Sequence, residues 1–444
     1  SNKNNHLPAE EKPPSFWDHN RTVPKPASTE PHFIGSESCQ ECHAAIYQQY
    51  MRHPMAQSIR KLGDQTPLEQ YLQNPTFESA GYQYEIRSDA NSPDSAPSAV
   101  EHIERVTSSS GQTVLEQSIP MHYVVGSGSR GRSFLHQADD RLFQSPITWY
   151  VEKELWDLSP GYVPGNHQRF ERVILDKCLA CHAGKVNRVA NKHDHFDRET
   201  PFREMGISCQ RCHGDAQQHV QTHRQGTFEA DHFIVNPAKL PTVEKQSICN
   251  QCHLSGKYRA TRYGKSFFDF RPGMKLSEVW SVFIANSTTQ DNDAAPILSH
   301  VEQMHASGCY QSPATNMTCT SCHDPHFNPT HGEKIKFYRN KCLNCHSPSA
   351  TQCSEPIDAR TNSSAKNSCF ACHMPRIANS DIAHSSQSDH RVLRRPTVNA
   401  FDNSSTIVKK DTDATPWVLF LNTEEQLPQW EADRATGEAL LIQY

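Results

Sequence analysis

Seven times in 444 residues the chain carries the run Cys-x-x-Cys-His, ending at His43, His182, His213, His253, His323, His346 and His373. No other feature limits so sharply what the chain can fold into. The runs use fourteen of its 16 cysteines: Cys39/Cys42, Cys178/Cys181, Cys209/Cys212, Cys249/Cys252, Cys319/Cys322, Cys342/Cys345 and Cys369/Cys372. Two thiols one helical turn apart can add across the two vinyl groups of one porphyrin. The imidazole that follows then lies beneath the ring and binds the iron. The run reads as c-type haem attachment, so seven covalent haem c groups are the expected cofactors, held by those fourteen cysteines with the seven histidines as proximal ligands. Zinc ribbons also use Cys-x-x-Cys pairs, about 15–20 residues apart. Only Cys319/Cys322 and Cys342/Cys345 approach that spacing, and zinc does not require a histidine directly after the second cysteine. A thioredoxin-like redox motif would occur once.

Apolar residues make up 35% of the chain, little for a globular protein of this length. Each haem buries a broad apolar face, so the cofactors replace part of a side-chain core. The expected fold is mainly α and irregular, a haem-packed multihaem cytochrome c with a small antiparallel β insert. The formal charge is −5 and there is no basic run, so nucleic acid is not an expected partner. No apolar run approaches the roughly 20 residues of a membrane span. The opening Ser1-Asn2-Lys3-Asn4-Asn5 reads as a processed start. Attachment of haem to cysteine pairs takes place outside the bacterial cytoplasm, so a periplasmic or otherwise exported location is expected.

Five stretches are expected along the chain. Residues 1–35 form an extended arm rich in Pro, Asn and charge, and 36–59 a first haem helix running through Ala44–Ser58. Residues 60–165 form the haem-free β-rich insert. Alternation there predicts strands at Tyr82–Arg87, Val100–Val106, Thr113–Ile119, Met121–Val125 and Leu142–Tyr150. Residues 166–400 form a hexahaem core of short helices and loops with few strands. Residues 401–444 form a linker and helix, helical over Glu424–Tyr444 with small residues at Ala432, Ala435 and Ala439.

A low-spin electron-transfer haem takes a sixth ligand, usually His or Met. His219 follows His213 by six residues and His326 follows His323 by three. That is too short to reach over the same haem, so each is expected to cap a neighbour. His384 and His390 flank Ser385–Asp389 after the last motif. His300, on a predicted helix Ile297–Ala306, is a further distal candidate, with His305 its competitor. His102 in the β insert and Met55 on the first helix complete the set, with His53 second to Met55. His193, His195, His223 and His232 sit in polar loops and read as solvated.

With these motifs in view the chain resembles a known lineage. Cys39-Gln-Glu-Cys-His43 followed by Tyr47-x-x-Tyr50 is similar to the opening of multihaem cytochromes in the hydroxylamine oxidoreductase lineage. That lineage includes its tetrahaem electron acceptor and, more distantly, pentahaem nitrite reductase. The family's distal His falls on Met55 here, which implies a His/Met haem. Cys209–Val220, Cys319–His326 and Cys369–Arg391 resemble further family segments. Gly126–Ser133 and Gln144–Tyr150 resemble exported multihaem cytochromes fused to tetratricopeptide repeats. The resemblance spans about residues 36–400. No motif is Cys-x-x-Cys-Lys, the signature of the nitrite reductase catalytic haem, and no local feature marks a tyrosine crosslinked to haem.

Cys309 and Cys353 lie outside the motifs. Their even number and the oxidising compartment make a disulfide the default; free thiols and a thiolate axial ligand are the alternatives. For function, the first expectation is a heptahaem cytochrome that carries electrons through closely packed haems to a redox partner protein. The alternative is an oxidoreductase with one open haem, at His182, acting on a small inorganic substrate: a nitrogen or sulfur species, or peroxide. Its candidate catalytic residues are Arg130, Arg132, His136 and Tyr150 in the insert, where arginines could bind an anion or else pair with haem propionates. A third reading makes the haems structural filler.

Overall fold

The computed structural model describes residues 32–63, 75–79, 81–89, 99–151, 153–163, 167–226, 233–285, 299–313, 315–346, 353–376, 388–394, 417–420 and 427–441. The arm at 1–31 lies outside them. Helix α1 (Glu37–Tyr50) carries the first motif and breaks inside it, since His43 leaves helical angles at φ −115°, ψ 38°. It also stops earlier than expected. Pro54 disfavours the helical region for the residue before it, and 51–58 turn into strand β1 (Ile59–Lys61).

The insert is two antiparallel sheets. Strands β2 (Thr76–Ser79), β3 (Tyr82–Ser88), β4 (Val100–Thr107) and β5 (Thr113–Pro120) form one, in the order β2-β3-β4-β5. The other adds β6 (Tyr123–Val125), β7 (Gly131–Ala138), β8 (Arg141–Tyr150), β9 (Leu155–Leu158) and β10 (Arg172–Val173) to β1, in the order β1-β6-β7-β8-β10 with β9 on β8. Strands occupy all five segments where alternation placed them. β7 has no clean alternation because both faces of its sheet are covered: Phe134 points into one core and its neighbour Leu135 into another.

The first core lies between the sheets and gathers Tyr84, Ile86, Val100, Phe134, Ile147 and Trp149. Burial of side chains of this size contributes about 1.5–3 kcal/mol each. Glu104, wholly buried on β4, adds a polar tie. It accepts from the Arg169 Nε and, at 3.1 Å, from the Tyr84 hydroxyl, which also lies 2.6 Å from His167 Nε2. The segment leading into β10 is thus pinned to the four-stranded sheet.

On the opposite face of the six-stranded sheet, Ile59, Tyr123, Leu135 and Leu142 pack on Leu179 and Ala183. Those residues belong to or adjoin helix α2 (Asp176–His182), which bears the second motif. The insert therefore buries one face on itself and the other on a motif-bearing helix.

Beyond α2 come the hairpin β11 (Lys185–Val186) and β12 (Phe202–Glu204), then α3 (Gln210–His213), α4 (Gln217–Arg224) and α5 (Thr242–His253). Next are β13 (Tyr258–Thr261) and β14 (Trp280–Ala285), then α6 (His300–His305), α7 (Gly308–Gln311), α8 (Cys319–Cys322), α9 (Lys334–Leu343), α10 (Ile357–Asn362) and α11 (Cys369–His373). The chain ends with β15 (Trp417–Leu419) and α12 (Gln429–Leu441). This half holds more strand than expected. β13, β14 and β15 make an antiparallel sheet, with Phe283 opposite Leu419. Ala435 and Ala439 of α12 lie flush on Ala260 and Phe283 of that sheet; side chains this small allow the close approach. Among the described residues no helix is long and apolar enough to cross a membrane.

Candidate metal centres

The attachment loops touch one another. Side chains from different motifs meet at Cys39/Cys209, Cys181/Cys252, Cys249/Cys319 and Cys342/Cys369. The backbone repeats the pattern. Arg211, inside motif 3, donates from Nη2 to the Ala180 carbonyl inside motif 2 at 2.5 Å. Gln251, inside motif 4, donates to the Arg211 carbonyl at 3.2 Å. Close approaches hold the loops in place: a Cβ on Gly206 would meet the Ala56 carbonyl oxygen at 1.7 Å, so only glycine lets the strand before motif 3 lie against the turn after motif 1. Cys322 feels the charges of both Cys309 and Cys345, so motif 6 lies beside motif 5.

The polypeptide does not cover all the attachment cysteines alike. Cys42, Cys345 and Cys372 are exposed, whereas the other motif cysteines are half-buried. For Cys42 and Cys372 the helices that carry them give the reason. Cys42 lies on a run of α1 that faces outward from Glu41 to Ile46, and Cys372 lies on α11, which buries none of its own residues. Each is the second cysteine of its motif, so the first thiol of the pair is sheltered by protein and the second stands at the outer edge. An exposed thiol remains open to the vinyl group of a porphyrin, whose own apolar face would then provide the cover.

Four motif histidines face a second histidine from a distant part of the chain. Ring centroids are 6.4 Å apart for His43 and His219, 5.9 Å for His213 and His326, 5.9 Å for His253 and His300, and 6.4 Å for His323 and His390. Imidazole nitrogens bound on opposite sides of one metal ion at about 2.0–2.1 Å put the two centroids roughly 6 Å apart. The spacing therefore suits a bis-histidine iron. The ring hydrogen bonds suit it too. Nδ1 of His213 donates to the Val235 carbonyl at 2.9 Å, Nδ1 of His373 to Leu393 at 2.7 Å and Nδ1 of His390 to Ser388 at 2.8 Å. Each bond fixes the tautomer that leaves Nε2 as the ligand atom.

A metal needs the neutral imidazole, and this environment supplies it. Burial first, and then neighbouring histidines, lower His300 to about 2 and His323 to about 4. Burial likewise lowers His213, His253 and His390. His219, His300, His326 and His390 are therefore the distal candidates that the structure brings to motif histidines, in each case from a distant segment of the chain.

Other candidates fall elsewhere. His102 is wholly buried between the two sheets of the insert, edge-on to Phe134 and Trp156, with Nδ1 2.7 Å from Ser145 Oγ. It serves the β core because its strand, β4, points it there. His305 stacks on Tyr310 with centroids 4.1 Å apart. Met55 donates its backbone N–H to His53 Nδ1 at 3.2 Å. The His53 ring itself stacks on Tyr50 and feels the charges of Asp324, His326 and His253. That placement moves His53 ahead of its sequence ranking. Tyr50 anchors the corner, its hydroxyl donating to the Ile207 carbonyl at 2.8 Å and its ring edge-on to His326. His384 and His232 lie outside the described residues. Of the histidines read as solvated, His193 is exposed, but His195 is half-buried against Asp140 at 2.9 Å and His223 packs edge-on to His219.

The candidate catalytic set does not converge on His182. Arg132 pairs with Trp149 across β7 and β8, and His136 with Phe143. Alternation puts both on the face turned to the four-stranded sheet, away from α2, and His136 Nε2 there meets the Phe170 carbonyl at 2.9 Å. Tyr150 pairs with Gly131, on the face opposite Arg132, and its hydroxyl donates to the Leu158 carbonyl at 2.7 Å. The charge of Arg130 acts on His300, the partner of motif 4. Nor does the structure join Cys309 to Cys353. Cys309 sits half-buried on α7 near Cys322 and Cys342, while Cys353 is exposed on a surface loop.

Sequence reading passed over Arg211, Gln251 and Arg259. The first two are the variable residues inside motifs, and a long polar side chain at such a position is a usable sign that loops interlock.

A model of the family described as cytochrome c554 and c-prime matches residues 165–214, which hold motifs 2 and 3. The chain is 21% identical over 394 residues to the dissimilatory sulfite reductase MccA of Wolinella succinogenes, covering 77% of this chain and 50% of that protein. It is 24% identical over 204 residues to the multiheme cytochrome MtrA of Shewanella baltica, covering 45% of this chain and 52% of that protein. The chain thus spans about half the length of the curated relatives it matches. No solved structure matches it. These matches support a multihaem cytochrome c.

Proposed function

We propose that the chain is an exported seven-haem cytochrome whose attachment loops set an electron path in the order motif 1, 3, 4, 5, 6, 7, with motif 2 branching from the junction of 3 and 4. Haem iron supplies one-electron exchange; the polypeptide supplies spacing, axial ligands and electrostatics. The observation that carries the reading is the set of four histidine pairs at 5.9–6.4 Å, each linking one motif to a ligand from another segment. Crossed ligation of this kind couples neighbouring haems mechanically as well as electronically. Thiol contacts join motifs 1 and 3, 2 and 4, 4 and 5, and 6 and 7. The Gln251–Arg211 hydrogen bond joins 3 to 4, Arg211–Ala180 joins 3 to 2, and the Cys322–Cys345 approach joins 5 to 6. The partner is a redox protein. The finer lineage, that of hydroxylamine oxidoreductase and the exported cytochromes with tetratricopeptide repeats, belongs to this reading and rests on the motif resemblances at 39–55, 209–220, 319–326 and 369–391.

Electron paramagnetic resonance of the oxidised protein tests the ligand pairs. His326→Ala converts one low-spin haem to high-spin and leaves the others low-spin. If its spectrum matches that of the unaltered protein, His326 is not an axial ligand.

A second reading is favoured by one observation, the match to a sulfite reductase over 77% of the chain. In it the branch haem at His182 is open and reduces a sulfur oxyanion. Sulfite added to the fully reduced protein would then reoxidise it and yield sulfide; reduced haem bands that persist under sulfite remove this reading.

A further inference from the structure

We propose that Arg211 and Arg259 make the junction of motifs 2, 3 and 4 the most oxidising point of the path, so that electrons collect there; this rests on the haem reading above. Arg211 belongs to motif 3 and reaches into motif 2 through the Ala180 carbonyl. Arg259 comes from β13, and its Nη1 lies 3.4 Å from Cys181 Sγ in motif 2 and 3.5 Å from the Gln251 carbonyl in motif 4. Its Nε donates to the Ser255 carbonyl at 3.2 Å, and the guanidinium lies over the buried Trp280 ring at 5.6 Å, so the charge is held in one place against an apolar wall. Cys181 Sγ is the atom that carries the thioether, so this cation sits at the very edge of the porphyrin bonded there.

Both guanidiniums spend their described hydrogen bonds on carbonyl oxygens and the one sulfur, none on a carboxylate. Arg211 Nε is buried with no hydrogen-bond partner. Two permanent positive charges in poorly solvated surroundings stabilise the added electron of a reduced haem. Elsewhere the balance differs: Glu204 lies beside Cys39 and Cys209 at the junction of motifs 1 and 3. The gradient of fixed charge therefore runs toward the junction from the first motif. Because arginine stays charged at any working pH, its influence does not vary with pH.

The test is potentiometric titration of the holoprotein, followed by visible absorption and electron paramagnetic resonance. The haem count of the unaltered protein, read first from its mass when unfolded, checks the underlying reading separately. Arg259→Gln lowers the uppermost midpoint, changing the reduced-to-oxidised ratio there on the order of tenfold at fixed potential, about 59 mV for a one-electron couple. The rest of the curve stays in place, the shift is the same at mildly acidic and mildly alkaline pH, and Arg259→Lys retains most of the original midpoint. Arg211→Gln moves the same component by an independent route. An uppermost midpoint unmoved in both Gln variants, or a whole curve displaced together in each, overturns the proposal.

Discussion

The β insert and the stretch from α8 to α11 are built on different physics. In the insert Tyr84, Phe134, Ile147 and Trp149 vanish almost entirely from solvent, and Glu104, Tyr84, His167 and Arg169 close a buried polar network. In the other stretch α8, α9, α10 and α11 bury none of their own residues. Short helices of this kind are marginal alone. On the proposed reading, covalent and coordinate bonding to the cofactor orders them, as disulfides and metals do for small domains. One region is held together by side chains; the other would then depend on its haems.

Removing the haems should break this contrast most visibly. In chain made without haem attachment, limited proteolysis is expected to cut throughout 319–373 while a fragment spanning 75–163 survives. Equal rates of cleavage in both regions would mean that the attachment segments have a core of their own. The next largest effect is a truncation inside the insert. Trp149→Ala should cost about 3–5 kcal/mol in denaturant unfolding of that unit, with the haem spectrum unchanged; a loss of haem bands instead would show that the two regions fold as one.

A smaller effect sharpens the comparison through pH. Burial, and next the charge of His136, hold His102 down to about 3 from an ordinary value of 6.5. The unfolded chain therefore takes up this proton first as pH falls. The contribution of neutral His102 is fully present above 6.5 and is lost at about 1.4 kcal/mol per pH unit from there toward 3. In His102→Leu the acid side of the stability curve should be shallower by that slope, which denaturant titrations at a series of pH values will measure. An unaltered slope would show that His102 already carries its proton in the folded state.

Legibility in the sequence followed locality. The attachment residues could be read because one porphyrin fixes their spacing within five consecutive positions, and the insert because Tyr82–Arg87 and Val100–Val106 alternate. The spacing did not tell that Cys42 and Cys372 stand exposed while Cys39 and Cys369 are half-buried; that depends on which side of each helix the rest of the chain covers. His219, His300, His326 and His390 could be named as candidate ligands, since each stood near a motif. Which motif histidine each one faces could not, because that depends on contacts across 47 to 176 residues, as between His253 and His300 or His43 and His219. His102 misled for a related reason: a histidine on a strand reads alike whether it faces a haem or a core. The arginines of the insert misled through β geometry. Arg132 and His136 share a face, and only the packing of two sheets decides that this face turns away from α2. β15 was missed because three residues far along the chain complete a sheet begun at Tyr258.

The most direct test is the mass of the polypeptide after unfolding and extraction with acidified organic solvent. The account requires the mass of the chain plus seven haems, with the colour remaining on the protein. A colourless polypeptide at its bare mass, with zinc released into the extract, would contradict it.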